Sequence, residues 1–259
     1  RRIFSRGDLT KHGRFYNGWW QSLPSIYRGH ITIDGYKTSE VDYSSMSLRI
    51  VYALKCIERD VADDLYDIGL DNWLGGDDPR RKLIKVFVNA LMNDETGNYK
   101  LNPTELKTLG LTHEELLALV LKTHAPIADQ LTAGIGMKAT YLDSQIAELV
   151  MKTMQEDGIV ALPIHDSFRV RAGYQQWLTT VMEAAFKAVT SAVVATDADG
   201  PRLSKHFGMS KGRFKEVEKE HNQDESSSIF NVITLDYETL FKETIMKKYL
   251  SYWEQWRTL

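Results

Sequence analysis

Residues 31–36 (ITIDGY) and 37–43 read as two strands joined at Asp34-Gly35, a hairpin turn pair, with Val41 facing inward. From Ser44 to Lys55 the spacing changes. Met46, Leu48, Ile50, Val51 and Leu54 recur at three- and four-residue intervals, which predicts a helix starting where the strand stops. IVALPIHDSFRVRA (159–172) is an apolar strand, a polar break at His165-Asp166-Ser167, and a second strand alternating Phe168, Val170 and Ala172 with Arg169 and Arg171. It predicts a β-hairpin with an acid at its tip. Between these stretches, 57–78 is acidic and reads as a solvated helix and loop. Pro79 then opens a helix to about Leu91, and the turn signals of 94–112 predict an exposed loop. Thr112 or Thr104 caps a following helix, with Thr112-His113-Glu114-Glu115 reading as an N-terminus; Leu116 to Leu131 is amphipathic, and Gly134-Ile135-Gly136 breaks the pattern. A long helix follows from Thr140 to about Glu156, stopped by Gly158, with Ile146, Leu149, Val150 and Met154 as its core stripe. An apolar helix is expected over 175–197. Residues 201–228 turn sharply polar and read as a solvated loop, and 232–259 return to an aromatic helix with Trp253 and Trp256.

Composition adds limits. The 259 residues allow one large domain or two small ones, and a net charge of −3 gives no global basic field, so any nucleic-acid contact must come from a local cluster. Cys56 is the only cysteine, which excludes an internal disulfide and argues against a thiolate zinc site; its helical setting predicts a core residue. No apolar run approaches the roughly 20 residues that span a bilayer, so no membrane association is expected and a cytoplasmic protein is the default. In residues 1–30, Arg1, Arg2, Arg6, Arg14 and Arg28 are interleaved with Phe4, Phe15, Tyr16, Trp19, Trp20 and Tyr27, a mixture that suits a nucleic-acid backbone and bases. Trp20 reads instead as packing.

Three features carry chemistry. Asp42 lies at a strand end, where a carboxylate can reach into a cleft from an anchored backbone; the competing role is a helix N-cap. Asp166 at the hairpin tip is a second strand-borne acid. Two carboxylates held together by a sheet repel unless a divalent ion lies between them or one keeps its proton. Arg81, Lys85 and Asn89 stand four apart on one helical face, either a solvated stripe or a grip on phosphates. His165, Asp166 and Ser167 cannot form a nucleophilic triad among themselves, because neighbours on a strand point to opposite faces.

These residues carry a resemblance. EVDYSSMSLR is similar to motif A (DYSxxELR) of the family A DNA polymerases, and PIHDSF resembles their motif C in the HDSF form of single-subunit, phage-type RNA polymerases. Arg81-Lys82-Leu83-Ile84-Lys85 resembles the R-x-x-x-K start of the fingers helix, and HGRFY (12–16) the G-R-x-Y core of a template-contacting motif. Thr10 stands where that motif usually has an acid, and Asn89 and Asn93 replace later aromatic and Tyr-Gly positions. The resemblance covers roughly residues 10–185. It implies an α/β (α+β) fold, a palm with an antiparallel sheet plus helical fingers, the thumb reduced, absent or supplied by a partner subunit. The chain would then be an excised fragment. The implied division is palm with motif A over 1–56, fingers over 57–133, palm with motif C over 134–200, a charged insertion over 201–231 and a packing helix over 232–259.

The function so implied is template-directed nucleotidyl transfer, with nucleoside triphosphates and a primer-template as partners and Mg²⁺, or Mn²⁺, as cofactor. Asp42, Asp166 and the Tyr43 carbonyl would hold metal. Arg81, Lys85, Tyr43 and Ser47 would meet the nucleotide, with Lys85 a proton donor to pyrophosphate; Arg14, Gln145 and His165 would meet nucleic acid. Asp143 and Ser144 share the position of Gln145 in that carry-over. Ser47 stands where the DNA enzymes place an occluding Glu, which implies that ribonucleotides are accepted unless another side chain, Tyr43 or Asn93, closes the same space. The alternatives are a catalytically weak nucleic-acid-binding relative that retains the palm as scaffold, and a metal-dependent phosphodiesterase.

Overall fold

The computed structural model describes residues 1–97, 99–194 and 196–198; the expectations for 201–231 and 232–259 lie outside the described residues. In order, the elements are β1 (Arg2–Ser5), β2 (Asp8–Phe15), α1 (Ser25–Arg28), β3 (Thr32–Ile33), β4 (Tyr36–Tyr43), α2 (Met46–Leu54) and α3 (Arg81–Asn93). They continue with α4 (Pro103–Leu109), α5 (His113–Thr123), α6 (Ala128–Leu131), α7 (Gly136–Glu156), β5 (Leu162–Ile164), β6 (Ser167–Arg171), α8 (Gln175–Thr190) and β7 (Thr196–Ala198). The class is mixed α/β with antiparallel sheets.

β4 is the central strand. It pairs antiparallel with β6 along one side, and with β3 and β7 at opposite ends of the other; β5 extends the sheet beyond β6. Alternation sorts the faces. Val41, Tyr43, Phe168 and Val170 point into the core, whereas Thr38, Glu40, Asp42, Ser167 and Arg169 share the opposite face. Segment 18–31 covers much of that polar face: Trp20 Nε1 and Gln21 Nε2 donate to the Pro163 carbonyl, and Thr38 Oγ1 donates to that of Ile31. Trp20 therefore packs, as its sequence setting suggested, while Trp19 is 64% exposed. One hydrophobic cluster runs from the sheet through α2, α7 and α8 to Ile84, Phe87 and Leu91 of α3 and Leu116 and Val120 of α5.

Several boundaries differ from the periodicity. Cys56 is exposed with a φ of 55°, because α2 ends at Leu54 and the chain turns there; it is not a core residue. Residues 94–112 hold a helix, α4, started by an Asn102–Glu105 capping box with Pro103 in the first turn and ended by Gly110 at a φ of 69°. It buries Leu109, so the turn signals there were helix ends. The amphipathic helix opens at Thr112, as its capping residues suggested, on a Thr112–Glu115 capping box, but it ends at Thr123 and not at Leu131, because Pro126 removes a donor and forces a tight turn before α6. α7 begins at Gly136. α8 stops at Ser191, whose φ is 62°, and the segment after it returns to the sheet as β7. The β1–β2 hairpin is clamped to α7 by polar contacts that apolar periodicity does not register.

Candidate active site

Asp42 sits at the end of β4, opposite Ser167, and the Tyr43 N–H donates to the Asp166 carbonyl at 3.2 Å. His165 and Asp166 form a two-residue hairpin loop closed by the Ile164–Ser167 pair; His165 takes the φ of 57° that such a tight loop demands. The two acids thus meet through strand pairing. Asp42 does not cap the helix, since the N-cap is Ser45, in a left-handed conformation with a φ of 53°. Asp42 Oδ1 is buried and has no hydrogen-bond partner among the described residues. Burial, then the charge of Asp166, pushes its carboxyl up to about 7 against the pull of Lys85. An orphaned carboxylate oxygen beside a second acid is what a hard cation would complete. Among the described residues no three His, Cys, Asp or Glu side chains gather as a metal cluster, so any ion here would draw its other ligands from backbone oxygen, water or substrate.

The Tyr43 ring is 2% exposed and its hydroxyl donates to the Met182 carbonyl at 2.6 Å, so only its backbone is left to a ligand. Burial raises its phenol well above the usual range.

The stripe on α3 is not a solvated face. Arg81, Lys85 and Asn89 are half-buried, and Arg81 and Lys85 lie 5.0 and 6.0 Å from the Tyr66 ring centroid. Tyr66 is 1% exposed, and burial pushes its hydroxyl up to about 12. Arg81 Nε donates to Asp64 Oδ2 at 2.9 Å. The loop that supplies Asp64 and Tyr66 is held by buried Arg49, which donates to the carbonyls of Asp60, Val61 and Asp63 at 3.0–3.2 Å. Sequence reading missed these roles of Asp64, Tyr66 and Arg49; the adjacent acids Asp63-Asp64 facing a cationic stripe were the available signal.

Ser47 lies half-buried in the first turn of α2, within the same connection that carries Asp42, and its hydroxyl makes no hydrogen bond among the described residues.

On the other flank, Arg14 Nε pairs with Asp143 Oδ2 at 2.5 Å, and a small cleft is lined by Arg14, Asp143, Pro163 and His165. Asp143 is buried, which pushes its carboxyl up to about 6 against the pull of Arg14. Gly13 permits this approach, for a Cβ there would stand 2.8 Å from Ser144 Oγ and 3.0 Å from Phe4 Cε1, at a φ of 86°. Asp143 and Ser144 both line that cleft, and both already have partners. Asp143 is taken by Arg14, and Ser144 Oγ accepts from Arg2 at 2.9 Å while donating to the Tyr141 carbonyl. Gln145 is half-buried on the same turn of α7. His165 is exposed, edge-on to the Tyr16 ring at 6.2 Å.

No family model matches the sequence, and no curated protein matches it. Among solved structures, the fold is similar to that described as the POL domain of Pol1 from M. smegmatis in complex with DNA primer-template and dNTP, with 13% identity and a TM-score of 0.44. The match covers 69% of this chain and 43% of that one. No helix among the described residues is long and apolar enough to cross a membrane.

Proposed function

We propose that the chain catalyses template-directed nucleotidyl transfer, with nucleoside triphosphates and a primer-template as substrates. The observation that carries this reading is the pairing of Asp42 and Asp166 at adjacent strand ends, with Asp42 Oδ1 unpartnered and Lys85 within electrostatic reach. Lys85 and Arg81 approach from α3 as the countercharge for a polyphosphate, Arg81 by paired hydrogen bonds and Lys85 as a point charge and proton donor to the leaving group. Asp42, Asp166 and the Tyr43 carbonyl would hold Mg²⁺ or Mn²⁺, and such ions supply positive charge to an attacking hydroxyl and a departing pyrophosphate. Arg14 and His165, with Gln145 along α7, would meet the nucleic acid.

Ser47 leaves room beside the sugar, and its hydroxyl is free to pair with a ribose 2′-hydroxyl, so ribonucleotides are accepted. Tyr43 does not close that space with its ring, which is turned into the core.

The test is incorporation of labelled nucleotides on DNA and RNA templates in Mg²⁺. Asp42→Asn and Asp166→Asn should each abolish it with the fold intact by circular dichroism. Substantial incorporation by either variant refutes the assignment, and release of monophosphates in place of pyrophosphate would identify a phosphodiesterase.

A further inference from the structure

Two uses of the guanidinium group contrast in this protein. Arg2 commits Nε and both terminal nitrogens, to the Gly13 carbonyl at 2.8 Å, Glu148 at 2.7 Å and Ser144 at 2.9 Å. Arg49 and Arg80 likewise donate through all three nitrogens. Such arginines are struts. Arg14 and Arg81 donate through Nε alone, to Asp143 at 2.5 Å and to the two oxygens of Asp64 at 2.9 and 3.1 Å. Their terminal nitrogens donate no hydrogen bond within the described residues. The edge left open includes the two terminal nitrogens, a paired donor that can take two oxygens of one phosphate.

Each holding acid is itself fixed. Asp64 Oδ1 also accepts the Tyr66 backbone N–H at 3.1 Å, and the same Tyr66 ring lies under Arg81. Asp143 has a side chain 4% exposed, on α7. A carboxylate beside an arginine can either compete with a phosphate or aim the side chain at it, and the point of contact separates the two. A competitor would occupy the terminal nitrogens. Asp64 and Asp143 lie off them, and they restrict a long side chain whose rotamer freedom would otherwise be lost on binding.

We propose that Asp64 and Asp143 are positioning residues that grip Arg81 and Arg14 by the Nε edge and keep their terminal nitrogens free for phosphate oxygens. Those oxygens belong to a nucleoside triphosphate at Arg81 and to a nucleic-acid backbone at Arg14. The substrate classes rest on the reading given under Proposed function.

The experiment uses the full chain. Calorimetric titration with inorganic triphosphate and with a non-hydrolysable nucleoside triphosphate compares wild type, Asp64→Ala and Asp64→Asn. Alanine should weaken both about tenfold, and asparagine, which keeps an oxygen for Nε, should recover most of that loss. In turnover the alanine variant raises KM, with kcat within about twofold of wild type. For Asp143, Asp143→Ala should weaken primer-template binding by anisotropy while leaving triphosphate affinity unchanged, and Asp143→Asn, which keeps the oxygen for Nε, should recover most of that loss; melting curves verify that both variants fold. Wild type that binds triphosphate no better than Asp64→Ala overturns the positioning role and leaves the nucleotide site standing. Tighter binding by Asp64→Ala overturns it in favour of competition. Wild type that binds neither triphosphate nor primer-template removes this inference together with the reading beneath it.

Discussion

Asp42→Asn removes a charge while keeping shape, so it isolates the strain between the two acids. In the folded chain, burial first and Asp166 second push the Asp42 carboxyl from an ordinary 3.8 to about 7, with Lys85 pulling the other way. Between those pH values the native state holds a proton that the unfolded chain has released. Stability therefore falls as pH rises through that window and levels off above it. A rise of about three pH units, each worth about 1.36 kcal/mol, sets a ceiling of about 4 kcal/mol, shared with Asp166 because the two acids act on each other. The neutral amide of the variant escapes this penalty. Asp42→Asn should match wild type near about pH 4 and melt higher near about pH 8 in metal-free buffer. Asp143, whose carboxyl is also raised by burial, adds the same slope to both proteins, so the difference between them is the readout. Mg²⁺ at ten times its dissociation constant should add about 1.4 kcal/mol to wild type and nothing to the variant. The assay is thermal melting across that pH range with and without Mg²⁺. A variant that melts at or below wild type near about pH 8 without metal would refute the reasoning.

Lys85→Ala should lower catalytic efficiency roughly ten- to a hundredfold, about 1.5–3 kcal/mol for a charged phosphate contact. Because Lys85 holds the Asp42 carboxyl down, the acidic limb of the pH–rate profile should also move to higher pH in that variant; an unmoved limb would separate the two residues. Ser47→Glu should shift preference toward deoxynucleotides by several kcal/mol at most, read by single-nucleotide competition. Wild type rejecting ribonucleotides a thousandfold, about 4 kcal/mol, would sink the assignment. Gly13→Ala should destabilise the chain by about 1–3 kcal/mol in denaturant titration, through its positive φ and the close approach of Ser144 and Phe4. Unchanged stability would mean that β2 can move off α7 at no cost.

The strand that ends at Asp42, the hairpin that carries Asp166 and the helix that carries Arg81 and Lys85 were legible in the chain alone. Each follows from local rules of side-chain period, turn residues and proline placement, which act within a dozen residues. Those rules are weaker at helix ends, where Pro126 split a continuous amphipathic pattern and Asn102-Pro103 began a helix that read as a loop. They are silent on partners. Arg14 reaches Asp143 across 129 positions and Arg81 reaches Asp64 across 17, by charge pairing that no periodicity records. Nor could local pattern reveal that Tyr43 turns its hydroxyl to Met182, or that Tyr66 fills the space in front of the cationic helix. The sequence by itself determined which chemical groups stand at strand ends and helix faces, because backbone geometry is local. Tertiary structure alone decided which acid meets which base and how deeply each is buried, because those depend on how β2, α3 and α7 pack around the central strand. Burial and proximity are what raise the carboxyls of Asp42 and Asp143.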